Sequence, residues 1–88
     1  VIKMTIGKFL DTGIKIYVSI YDNFSKRVIC ASESDTLPEK FRKLRIIDFD
    51  YNGIVGTFYV DLINEFVYKD LIKFYDDLGI LKEIRKGD

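Results

Sequence analysis

Asp48, Asp50 and Asn52 stand at alternate positions ahead of Gly53. Three oxygen-bearing side chains at that spacing, followed by a residue free to bend sharply, are a donor set for a hard cation such as calcium. A second constellation is Asp11-Thr12-Gly13 behind the apolar pair Phe9-Leu10. One such carboxyl per chain, brought beside its copy in a dimer, supplies two carboxyls that share a proton. Lys3, Lys15, Tyr17, Tyr21 and Lys26 form a third set, with Thr5 and Phe9 beside them. Aromatic rings stack on bases and ammonium groups neutralise phosphates, so this set has the chemistry of a sequence-tolerant single-strand binder. Tyr68, Ile72 and Tyr75 recur on one flank of a helical stripe. Such a flank suits a protein contact, because Tyr is enriched in interface cores. The chain contains no His and a single Cys, Cys30. It therefore lacks the usual neutral-pH base and the commonest zinc ligand, and a Cys30 thiolate would lack its customary partner. No catalytic residue, metal or cofactor is expected.

Two of these constellations resemble known motifs. Residues 48–53 are similar to an EF-hand loop, with Val55 at its eighth position and Leu44, Ile47, Val60 and Ile63 where the flanking helices are apolar. That resemblance implies calcium held by Asp48, Asp50 and Asn52. However, Tyr59 stands where the loop requires a bidentate Glu, and the exit, residues 54–60, is β-branched, aromatic and Gly-containing. A hairpin is the stronger reading. Residues 9–13 resemble the active-site motif of retroviral-type aspartic proteases, which implies a homodimer pairing Asp11 with its copy. That family follows the motif with a small residue and later carries an apolar pair ending in Gly. Here Ile14 opens a regular apolar alternation instead, so Asp11-Thr12-Gly13 reads as a turn.

The elements that must position these residues follow from periodicity. Ile2, Met4 and Ile6, then Ile14, Ile16, Val18 and Ile20, alternate as strands with one buried face do. A three-residue turn at Asp11-Thr12-Gly13 pairs Leu10 with Ile14, Ile6 with Val18 and Met4 with Ile20, and only Lys8, opposite Ile16, breaks the face. A third strand over residues 24–31 follows the turn-like Asp22-Asn23. Loops of different length pair Val18 with Arg27, Val28 or Ile29. Thr36-Leu37-Pro38-Glu39 has the form of a capping box, and it predicts a short helix with Leu37, Phe41 and Leu44 inward and Lys40, Arg42 and Lys43 outward.

An Asn52-Gly53 turn then pairs Tyr51 with Ile54, Phe49 with Gly56, Ile47 with Phe58 and Arg45 with Val60, giving one oily face. The wetter face carries Ile46, Asp48, Asp50, Val55, Thr57 and Tyr59. From Asp61 as N-cap, the stripe Ile63, Val67, Leu71, Phe74 and Leu78 predicts a long helix closed by Gly79. The expected fold is α+β, in the order βββαββα: a mainly antiparallel sheet of about five strands with a long C-terminal helix packed on one face.

A chain of 88 residues fits a single domain over residues 1–88. Its 48% apolar and 15% aromatic content is too high for a disordered chain. Fourteen basic and fourteen acidic side chains cancel, so only a local patch could draw it to nucleic acid or an anionic surface. No apolar run approaches the roughly 18 residues of a membrane span, and no secretory signal is read. The first residue is Val1 rather than Met, which fits a start that has been trimmed or altered. Cys30 has no partner for an internal disulfide, which fits a reducing, cytoplasmic setting. The expected function is that of a small soluble, non-enzymatic binding protein: a regulator, adaptor or inhibitor acting through protein-protein interaction. It would bind another protein, or itself as a homodimer, through Tyr68, Ile72 and Tyr75 and an exposed sheet face. The alternative is a single-stranded nucleic-acid binder using Lys3, Lys15, Tyr17, Tyr21 and Lys26. No membrane partner is expected.

Overall fold

Two hairpins lie side by side in the computed structural model, which describes residues 4–81. The first joins β1 (Tyr17–Asp22) to β2 (Arg27–Glu33), and the second joins β3 (Asp48–Tyr51) to β4 (Val55–Val60). Their inner strands, β1 and β4, pair in parallel, so the order is β2-β1-β4-β3. The fold is α+β, as expected, but the sheet has four strands rather than about five and is mixed rather than mainly antiparallel. The parallel centre arises because the connection after β2 crosses the sheet before β3 begins. That connection carries Leu37, Phe41 and Leu44 into the core. Three helices, α1 (Ile6–Leu10), α2 (Glu39–Arg42) and α3 (Tyr68–Asp77), bury Ile6, Leu10, Phe41, Leu71 and Tyr75 against Val18, Ile20, Phe58 and Val60 on one face.

The N-terminal strand of the sequence reading is replaced by α1. Thr5 caps it by accepting the Lys8 backbone N–H at 3.2 Å. Ile6 and Leu10, one helical turn apart, are the residues it buries. Lys8, the misfit in the strand pattern, is exposed on the opposite side of that helix. Asp11-Thr12-Gly13 is therefore a helix exit, not a hairpin turn: Asp11 N–H reaches Gly7 O at 2.9 Å, and Gly13 takes the left-handed φ of 92°. Gly7 is buried because α2 crosses close to it. A Cβ there would lie 3.1 Å from the Arg42 carbonyl oxygen. Arg42, expected outward with Lys40 and Lys43, is half-buried and pairs with Asp11 at 2.9 Å.

The first hairpin's loop has four residues, the longest of the lengths the sequence allows, but it sits further along the chain, and the second hairpin's loop is longer than the sequence suggests. Between β1 and β2 the turn runs through residues 23–26, with Lys26 at φ 57°, and Val18 pairs with Ser32 instead of Arg27, Val28 or Ile29. Ile29 is an extra residue in the ladder between Cys30 and Val28, a bulge that turns it into the core. In the second hairpin Asn52 Oδ1 accepts the N–H groups of Ile54 and Val55, at 2.9 and 2.7 Å, drawing those residues into the loop. The register shifts by two, placing Phe49 opposite Phe58 and Tyr51 opposite Gly56. A shift of two preserves the faces, so Phe49, Gly56, Phe58 and Val60 turn to the core as expected. Arg45, Ile47, Tyr51 and Ile54, expected beside them, are exposed, and Ile46, expected on the wetter face, packs partly buried against the core. The Phe49 ring still lies on Gly56, where a Cβ would meet it at 2.9 Å.

The long helix is also corrected. Residues 62–64 form a 3-10 turn, Val67 is extended at ψ 157°, and α3 spans only ten residues. Leu62 donates its N–H to Asp22, and Glu65 uses its carboxyl on the Arg45 backbone N–H, so both are held in non-helical roles. Ile63 and Val67 consequently face solvent, while Leu71 is buried and Phe74 and Leu78 are partly buried. Gly79 ends α3 as predicted. With φ 76° it donates to Asp76 O while Ile80 donates to Tyr75 O, the paired bonds of a Schellman motif. Nor does Thr36 form a capping box: its hydroxyl donates to Glu33 O, and Pro38 precedes α2.

Candidate functional site

The most densely bonded polar side chain in the core is Asp22, at the end of β1. Its Oδ1 accepts the N–H groups of Phe24 and Leu62, at 3.2 and 3.1 Å, and its Oδ2 accepts the Ser25 N–H at 3.1 Å and the Tyr75 hydroxyl. Asp22 is fully buried and Tyr75 nearly so. Burial, and then the Asp22 carboxyl, push the Tyr75 pKa far above the ordinary phenol range. One carboxyl group thus fastens the first turn, the 3-10 turn and α3 to the sheet. All four donors are internal, so its chemistry is spent on the fold. The sequence signal for it was an Asp opening a turn, the position from which Asp captures backbone N–H groups two and three residues on.

Opposite the helices, the sheet presents its other face. Residues paired across a ladder share a face, which puts Tyr17, Ser19 and Tyr21 of β1 beside Val55, Thr57 and Tyr59 of β4. Val28 continues the row of Tyr21 on β2, and Ala31 and Glu33 follow. Asp48 and Asp50 close the other edge. Tyr21 and Tyr59 meet edge to face, with ring centroids 5.6 Å apart. Tyr17 is 45% and Val28 51% exposed. Every helix residue in the buried core belongs to the opposite side.

Among the nucleic-acid candidates, Tyr17 and Tyr21 are brought together on this face. Lys15 and Lys26 are exposed just beyond the two ends of β1, and Lys3 lies outside the described residues. The strand residues of the face itself contribute three carboxyls, Glu33, Asp48 and Asp50, and no amine. Sequence reasoning assigned Tyr59 and Val55 to this wetter face of the second hairpin, but it did not join them to Tyr17 and Tyr21. The missing piece was the parallel pairing of β1 with β4, which no local pattern encodes.

The α3 candidates are separated. Tyr68 is 71% exposed and Ile72 half-buried, whereas Tyr75 points into the core and is bound to Asp22. Tyr75 is therefore part of the fold's interior and not of any surface shared with Tyr68. The sequence also allows a tail folded back over that flank through Ile80, Leu81 and Ile84, of which Ile84 lies outside the described residues.

In the stretch 48–53, Asp48 Oδ1 accepts the Phe49 N–H at 2.8 Å and Asn52 Oδ1 serves the turn. No group of three or more potential metal-ligating side chains occurs among the described residues. Cys30 is partly buried, and that burial raises its thiol pKa. No helix among the described residues is long and apolar enough to cross a membrane.

Comparison of the chain with protein-family models, with curated proteins and with solved structures finds no match.

Proposed function

We propose that this protein is a non-enzymatic binding domain, a regulator, adaptor or inhibitor, that holds another protein against the open face of its sheet. The observation that carries this reading is the row Val28, Tyr21 and Tyr59 with Tyr17 alongside, an apolar and aromatic surface on which, among the described residues, no helix is packed. Tyrosines give large contact area at low entropic cost and retain a hydroxyl for the rim, which suits them to interfaces. Glu33, Asp48 and Asp50 at the margins favour a partner whose contact surface is apolar in the middle and basic at its edges. Self-association belongs on a different surface, because stacking two such faces brings like charges together. Tyr68 and Ile72 on α3 are the surface for a homodimer. The unpaired Cys30 fits a reducing, cytoplasmic setting.

The placement of Lys15 and Lys26 beyond the two ends of β1, with Tyr17 and Tyr21 between them, favours single-stranded nucleic acid as the second reading. One experiment separates the two. Affinity capture from the native host's lysate, with and without nuclease, is run with the wild type and with Tyr17→Glu and Val28→Glu. Both sites are about half exposed, so the fold tolerates the changes. The expected result is a defined protein retained by the wild type after nuclease and lost from both variants. Capture that disappears with nuclease favours the second reading, and capture unaffected by either substitution rejects the sheet face.

A further inference from the structure

We infer that the groove at the foot of β3 is a recognition pocket for a protein segment that presents a Lys or Arg beside a large apolar side chain. The inference rests on the reading of this chain as a protein-binding domain but uses a surface distinct from the open sheet face. The groove has a volume of about 630 Å³, within the range of cavities that enclose a small ligand or a pair of side chains.

Its floor is apolar: Met4, Phe9, Ile46 and Phe49 are all partly buried, and the Phe9 and Phe49 rings lie 4.8 Å apart. Its rim is charged and unbalanced. Glu65 is occupied by Arg45, accepting the backbone N–H at 2.8 Å and standing 3.5 Å from Nε. Asp61 lines the same groove, and among the described residues no ion pair engages it. Asp61 has one oxygen on the Asn64 amide at 3.0 Å. It therefore keeps a second oxygen for an incoming donor. A carboxyl beside a phenyl-lined floor matches an ammonium or guanidinium group whose neighbour is apolar, because the charge is met at the rim while the apolar side chain leaves water. An anionic or purely apolar ligand would leave that carboxyl uncompensated.

The test is a chemical-shift titration of the full chain with the capped peptide Ac-Gly-Phe-Lys-Gly-NH2, with its Gln-for-Lys counterpart, and with phenethylamine as a free amine. The lysine peptide is expected to shift the Ile46, Phe49 and Asp61 amides at millimolar concentration. Its affinity should fall about fivefold for Asp61→Asn, the size of one exposed ion pair, and the glutamine peptide should bind more weakly by a similar factor. Equal binding of both peptides overturns the inference, and so does absence of any shift at these amides. Phenethylamine binding as tightly as the lysine peptide assigns the groove to small amines, and lysine-peptide binding seen only when residues 1–3 are deleted assigns it to the chain's own start. Either result overturns the proposal. Shifts confined to Tyr17, Tyr21 and Tyr59 reject the groove while leaving the sheet-face reading intact, which the Tyr17→Glu capture judges separately.

Discussion

Tyr75 and Asp22 show how a residue chosen for its surface chemistry can belong to the interior. A helical wheel places Tyr75 beside Ile72 and Tyr68, but its hydroxyl is taken by a carboxyl fifty-three positions earlier in the chain. No local pattern reports such a bond. Removing the hydroxyl in Tyr75→Phe leaves the ring in place and takes one donor from Asp22, at an expected cost of about 1 to 2 kcal/mol near neutral pH. The sign of the pH dependence follows from the raised pKa of Tyr75. The folded chain holds this proton more tightly than the unfolded chain does, so the contribution is complete below the unfolded tyrosine value near 10. It is lost as pH rises past that value towards the folded one. The stability gap between wild type and Tyr75→Phe should therefore be constant from about pH 7 to 9 and narrow above about pH 10. Denaturant melts across that range measure it, and a gap that widens with alkalinity would contradict the assigned bond.

At the scale of elements, the features legible in the sequence are local ones. Phe41 on the short helix and Leu44 just beyond it turn inward, Gly79 follows the C-cap of α3, and Phe49, Gly56, Phe58 and Val60 of the second hairpin face the core, because each depends on a few neighbouring residues. The failures share a cause. Residues 6–10 fit both periods, and the choice fell to a Thr5 cap and to packing against α2. The helical stripe over residues 61–67 was overruled by Asp22 and Arg45, which claim Leu62 and Glu65. The pairing of β1 with β4, and with it the open aromatic face, was not legible, since strand order is set by where the crossover lands. On α3 the surviving surface candidates are Tyr68 and Ile72. If they form the homodimer contact, Ile72→Glu places a charge in an apolar interface and should abolish self-association in light scattering. Because Ile72 is half-buried in the monomer, the same change should also lower the monomer's stability by more than the roughly half kcal/mol of an ordinary surface change, which melting measures separately from the loss of association. A wild type that is monomeric at high micromolar concentration would remove the homodimer.

For the molecule as a whole, the balance between protein and nucleic acid as partner is decided by where charge sits relative to the aromatic face. Net charge is zero, so no long-range field gathers a polyanion and any affinity must come from local groups. On the sheet face those groups are Glu33, Asp48 and Asp50, with the exposed lysines Lys15 and Lys26 beyond the ends of β1. A strand of nucleic acid laid across Tyr17 and Tyr21 would gain stacking, of order 1 to 3 kcal/mol per base. It would also run its phosphates towards the Asp48 and Asp50 edge. Two lysines release few counterions, so the slope of log affinity against log salt should be no steeper than about −1.4 for a single strand. Fluorescence anisotropy with a labelled oligonucleotide at low and physiological salt is expected to show binding no tighter than millimolar at the higher salt. Asp48→Asn with Asp50→Asn should strengthen whatever binding exists, because the change removes repulsion and leaves the rings untouched. Tight, steeply salt-dependent binding that weakens in Tyr17→Ala and Tyr21→Ala would instead mean that cations outside the face govern recognition, and the protein-binding reading would give way to the nucleic-acid one.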